Sequence, residues 1–130
     1  MELSAVESIV KTQLEVRLRN KLGTRFPKLS ITSEPSDDTP SFPNVYVQLT
    51  DTTEVGMSIP NQVIHANRYN FTIDISTNTN KADANIVADA CKDIMKLLRF
   101  RTSGPTYIKM NNLHRYVIRA NRIIANGDTF

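Results

Sequence analysis

Cysteine is nearly absent from this chain of 130 residues; Cys91 is the only one. A lone thiol forms no internal disulfide and no thiolate cluster for zinc. Glycine is scarce too, at four residues, and none builds a Gly-rich phosphate loop or a G-x-S-x-G turn. Tryptophan is missing, and the two histidines, His65 and His114, are not spaced as H-x-x-x-H. No apolar run approaches the roughly 18 residues of a membrane span. The start, Met1-Glu2-Leu3-Ser4, lacks a basic-then-apolar signal pattern. Asp37-Asp38 is a carboxylate pair, but in a Pro-rich loop such a pair is solvated. The expectation is a soluble protein made in the cytoplasm, one domain over 1–130, with no enzymatic activity, cofactor, metal or membrane partner.

Charge of one sign is also missing, locally. Residues 29–67 contain no Lys or Arg, yet hold Glu34, Asp37, Asp38, Asp51 and Glu54. Residues 94–127 contain no Asp or Glu, yet hold Lys96, Arg99, Arg101, Lys109, Arg115, Arg119 and Arg122. This unevenness says more than the formal net charge of +3.

What is present is organised around 69–100. Tyr69, Phe71, Ile73 and Ile75 alternate with Asn70, Thr72, Asp74 and Ser76, the period of a strand with one face on a core. Thr77-Asn78-Thr79-Asn80 breaks that period. Val87, Ala90, Cys91, Ile94 and Leu98 then recur at spacings of three and four, one stripe of a helix over about 80–100. Asn80 suits its N-cap, with Asp83 at the positive end of the dipole and Lys96, Arg99 and Arg101 at the negative end. On that stripe Cys91 reads as a small core residue rather than a nucleophile.

Earlier in the chain, Val6, Val10, Leu14, Leu18 and Leu22 repeat at i+4, with Ile9 widening the stripe, and predict a helix over 4–22. Ser4 and Glu7 have capping-box spacing, and Gly23 sits where a left-handed residue would close the helix. Residues 29–32 suggest a short strand, and 34–43 a loop with three prolines. Val45, Val47 and Leu49 mark a strand over 44–50. Residues 51–67 are weakly patterned, contain Gly56 and Pro60, and read as a long functional loop. Residues 102–105 read as a turn, followed by strands over 106–110 and 113–124 joined at Asn111-Asn112. On the last strand Tyr116, Ile118 and Ala120 face one way and Arg115, Arg119 and Asn121 the other. The fold class is α+β: a largely antiparallel sheet with two helices packed on one face.

The charge pattern admits three readings. One is solvated surface. A second is a basic sheet face with Tyr107 and Tyr116 that stacks and neutralises single-stranded nucleic acid. A third is acidic and basic patches that dock head to tail and close into a ring.

Several stretches resemble one family. They are Asn44-Val45-Tyr46-Val47, the strand 69–76 with its Asn-rich turn, and the helix form A-x-x-x-A-D-A over 84–90. The end from Tyr116 through Gly127-Asp128-Thr129 completes the set. Together they resemble the tail terminator proteins of long-tailed bacteriophages, also described as tail completion, minor capsid or head-tail joining proteins. The likeness runs over most of the chain. The strand His114-Arg115-Tyr116-Val117-Ile118-Arg119-Ala120-Asn121 is similar to the family's Y-R-M-V-A-R-Y form; Arg119 matches its second Arg, and Asn121 replaces its usual aromatic. The resemblance implies a non-enzymatic virion protein of the tail-neck region, forming a homohexameric ring. That ring would sit on the last ring of the tail tube protein, stop tube growth, and face the head-side connector or head completion protein. Genomic DNA would only pass through its lumen. Candidate interface residues are Arg115, Arg119, Arg122, Glu34, Asp37, Asp38, Asp51, Glu54, Met57 and Ile59. A head-tail adaptor or tail-tube subunit of related fold is the nearest alternative, and a nucleic-acid binding module the farther one.

Overall fold

The computed structural model describes residues 3–33, 42–59, 62–110 and 113–125, with the backbone alone for 3–4, 56–59, 62–65 and 110. Helix α1 (Leu3–Leu22) is followed by strands β1 (Ser30–Thr32), β2 (Asn44–Ile59) and β3 (Gln62–Thr77). Helix α2 (Lys81–Leu97) then leads to β4 (Arg101–Met110) and β5 (Leu113–Ala125). The five strands form one sheet in the order β1-β2-β3-β5-β4, antiparallel except for the short β1–β2 pair. Both helices pack on the same face of the sheet, so the α+β class expected from the sequence is the one observed.

The α1 stripe is buried as its i+4 spacing requires: Val6, Val10, Leu14 and Leu18 lose all exposure and Leu22 nearly all. Its ends differ from expectation. The helix begins at Leu3, so Ser4 has helical backbone and does not occupy the N-cap. Gly23 is not left-handed; among the described residues only Gly104 is a glycine with positive φ. The Gly23 N–H donates to the Arg19 carbonyl at 2.9 Å, and a β-carbon at that position would collide with the same oxygen. Close approach, not handedness, is what the position demands.

At the start of α2 the Asn80 side chain accepts from the Asp83 N–H at 2.8 Å, while the Thr79 hydroxyl donates to the Asp83 carboxylate at 2.7 Å. One orphan amide is thereby satisfied, and Asp83 is held in the first turn, where the dipole favours it. At the other end, Phe100 N–H donates to Met95 and Arg99 N–H to Lys96, each at 3.0 Å, the two bonds of a Schellman close. The left-handed residue in it is Arg99, at φ 67°, where glycine is usual. A non-glycine residue there carries a penalty of about 1–2 kcal/mol.

The buried side of α2 includes Val87, Ala90, Cys91, Ile94 and Leu98 as the stripe predicts, and also Ala84, Ala88 and Met95. The stripe is wider because α2 touches both the sheet and α1. On β3, Tyr69, Phe71, Ile73 and Ile75 are all buried toward the helices; Phe71 meets Phe100 edge-on, ring centroids 5.6 Å apart. Burial pushes the Cys91 thiol up to about 12, so at neutral pH it is a neutral core side chain.

Two expected connections are strand. Residues 51–59 continue β2 and 62–67 begin β3, so the segment read as a loop is a paired extension of the hairpin. Its alternation is hidden by a bulge at Thr50: Leu49 opposes Phe71 but Asp51 opposes Asn70, and the extra residue inverts the parity of the rest of the strand. The Thr50 hydroxyl fastens the bulge by donating to the Asn70 carbonyl at 3.0 Å. Residues 102–105, read as a turn, lie within β4 at a second bulge between Ser103 and Thr106, where Gly104 takes φ 100°. The Asn111-Asn112 junction lies outside the described residues.

Candidate assembly interface

Residues directly opposite across antiparallel strands share a face, so the register defines the surface away from the helices row by row. One row reads Asp51, Asn70, Asn121, Arg101; the next reads Thr72, Arg119, Ser103. No described element covers this face. Its described side chains are polar or charged apart from half-buried Tyr46, Val55, Leu113, Val117 and Ala125, buried Ala66, and exposed Ile108 and Ile123.

The expected interface arginines separate in the structure. Arg119 is exposed on the open face. Arg115 also lies on that face but is engaged within the chain: its Nε and Nη2 donate to Asp74 Oδ1 at 2.9 and 2.7 Å. Partial exposure at 33% for the Arg115 side chain and 17% for Asp74 makes this pair stronger than a surface bridge. Arg122 belongs to the opposite face. It is 9% exposed, lies opposite buried Tyr69, and donates from Nη1 to the Leu98 carbonyl at 3.0 Å. It thus secures the C-terminal turn of α2. Parity along β5 distinguishes Arg122 from Arg115 and Arg119, a distinction that charge alone does not carry.

Among the acidic candidates, Asp51 and Glu54 are exposed on β2. Glu34, Asp37 and Asp38 lie outside the described residues. Met57 and Ile59 stand opposite Ile64 and Gln62 in the hairpin, where only the backbone is described.

The aromatic residues also correct the sequence reading. Tyr107 and Tyr116 oppose each other on the helix side, not among the exposed arginines, with ring centroids 5.2 Å apart. Tyr107 shares a 2.8 Å hydrogen bond with His114 Nδ1, and the Lys81 ammonium lies 4.4 Å from its ring centroid. Tyr116 is buried. The two tyrosines expected to stack on single-stranded nucleic acid therefore do not lie on the face of Arg115 and Arg119.

A basic cluster does form, with different members. Arg68, Arg99, Arg101 and Arg122, with Asn121 and Ile123, line a hollow of about 550 Å³ where β4 begins and α2 ends. Among the described residues no carboxylate lines it. Arg68, Arg99 and Arg101 are exposed, and among the described residues they make no ion pair or side-chain hydrogen bond. Arg68 carries no signal in the sequence because it stands alone there; strand order brings it to the others. Among the described residues no three His, Cys, Asp or Glu side chains are grouped to hold a metal ion. No helix among them is long and apolar enough to cross a membrane.

No protein-family model matches the chain. No curated protein matches it either. Among solved structures it is similar to a chain of the "Virion of native gene transfer agent (GTA) particle". The TM-score is 0.43 at 20% identity, over 86% of this chain and 90% of that one. Likeness at that level leaves the function to be argued from the residues.

Proposed function

We propose that this chain is a structural protein of a phage-like virion, a tail terminator whose copies form a hexameric ring on the end of the tail tube. The observation that carries the reading is the projecting hairpin. Among the described residues β5 pairs with β3 only from Ala66 onward, so within them the β2–β3 hairpin beyond Val55 and Ala66 is a ribbon of two strands. An isolated two-stranded ribbon is marginal in water, and its natural completion is another protein surface. In sequence Val55, Met57 and Ile59 alternate with Glu54, Gly56 and Ser58, and the register sets Val55 opposite Ala66 and Met57 opposite Ile64. That pattern suits one apolar side for docking and one polar side for water.

The sequence resemblance supports the same reading, and the uncovered polar sheet face is compatible with a lumen through which DNA passes without being held. A head-tail adaptor or a tube subunit would use the same ribbon and differs in what it contacts. The single-strand binding reading loses its main support with the burial of Tyr116 and the engagement of Tyr107.

Native mass spectrometry of the purified chain at rising concentration tests the ring. A closed species of six copies is expected. A chain that stays monomeric while binding short oligonucleotides, with affinity falling steeply between about 50 and 200 mM salt, would overturn the reading.

A further inference from the structure

The arginine hollow is lined by no carboxylate among the described residues, and its geometry relative to the acidic strand is specific. Arg101 and Asp51 stand at the two ends of one cross-strand row, Asp51–Asn70–Asn121–Arg101. Three inter-strand spacings separate them, about 14 Å of backbone, beyond the roughly 8–10 Å over which exposed charges act at physiological salt. They do not neutralise one another within one copy. Past residue 46, β2 has no neighbour on its outer side among the described residues, and β4 forms the opposite edge of the sheet. One edge therefore carries Asp51 and Glu54 without a single Lys or Arg on β2, and the other begins with Arg99 and Arg101.

From these positions we infer that the arginine hollow receives the Asp51–Glu54 edge of a second copy, and that this contact sets the register between neighbouring subunits. The inference rests on the ring reading and names its junction. Rotation about an axis along the strands keeps height along the strands unchanged, so edges that meet must match in height; Asp51 and Arg101 do. Strand direction matches as well. β2 and β4 run antiparallel within one copy, so β4 beside the β2 of a neighbour continues the antiparallel alternation.

Backbone pairing alone does not fix this junction. The bulge over 103–106 and Pro105, which has no N–H, interrupt the outer ladder of β4. Guanidinium–carboxylate pairs supply the register that the ladder lacks. Arg122 lines the hollow while donating to Leu98, and Arg99 lines it from a left-handed backbone that disfavours any side chain.

Charge exchange tests the junction. Three variants are compared with the wild type by sedimentation velocity and native mass spectrometry: R99E/R101E, D51R/E54R, and the chain carrying all four changes. All four positions are exposed; circular dichroism and thermal unfolding verify for each variant that the fold is kept, Glu54 being engaged within the chain as well. Each two-site variant should associate at least about tenfold more weakly than the wild type, and the four-site variant should recover most of the loss. Equal assembly by all four proteins would overturn the junction and leave the ring intact. Loss in both two-site variants with no recovery in the four-site variant would also overturn it. A wild type that never associates would remove the ring and the junction together.

Discussion

Phe71→Ala is expected to lower the unfolding free energy by about 3–5 kcal/mol. Phe71 lies mid-strand on β3, opposite Leu49 on β2 and Ala120 on β5, and is 1% exposed. Its ring meets Phe100 at 5.6 Å and 81°, an edge-to-face pair that adds about 0.5–1.5 kcal/mol beyond the area it buries. Truncation leaves a cavity between β3 and the residue that closes α2, and Ala120 opposite is too small to fill it. Domains have only about 5–15 kcal/mol in total, so the variant should unfold at much lower urea. Leu97→Ala on the same helix is the control: Leu97 is 67% exposed, and its loss should change stability by no more than about 0.5 kcal/mol. Equal urea midpoints for the two variants would mean that the strand–helix core is misassigned.

Gly104→Ala should be the most damaging small substitution outside the core. At φ 100° the backbone adopts a conformation that L side chains rarely take, at about 1–3 kcal/mol. Steric conflict adds to this. The new β-carbon would lie 2.8 Å from the Val117 carbonyl oxygen and 3.1 Å from the Thr106 nitrogen, both backbone atoms that move only with the strands. The bulge should open and β4 detach from β5 around residues 103–106. Hydrogen exchange would show this as lost protection of the β5 amides that face β4 around Val117, with less change on β2. Wild-type stability and exchange in this variant would contradict the bulge geometry.

How much of the molecule is legible in its sequence depends on whether the physical signal is local. The core helix and strand are legible because a period of two gives way to spacings of three and four within one stretch, and the residues so marked are buried. The N-cap is legible in Asn80 and Asp83, which do meet. The misread segments lie where one inserted residue breaks a pattern. Thr50 inverts the parity of β2, and Gly104-Pro105 inside β4 looks like a turn to any local reading. Of the candidate interface, Arg119, Asp51 and Glu54 are exposed as expected, whereas Arg115 is held by Asp74 and Arg122 is turned toward the helix layer. Charge counts carry no information on pairing across strands. Arg68 joins Arg101 through a strand order that crosses from β3 to β5 before returning to β4.

This arrangement also changes how the basic face should be probed. Reversing Arg115 would set a carboxylate beside Asp74 and weaken the sheet itself, so a loss of assembly could not be ascribed to an interface. Arg119, Arg99 and Arg101 do not carry that confusion. Likewise, replacing all of 51–67 would remove paired sheet up to buried Ala66. Shortening only 56–65 leaves the strands that β5 covers.

The most direct measurement of the central claim is electron microscopy of tube protein polymerising from the same virion, with and without this chain. The account predicts tubes that stop growing when the chain is added and carry one extra ring of density at a single end, and no such arrest with the ribbon shortened over 56–65. Unchanged tube growth with no density at either end, from a chain verified as folded, would contradict it.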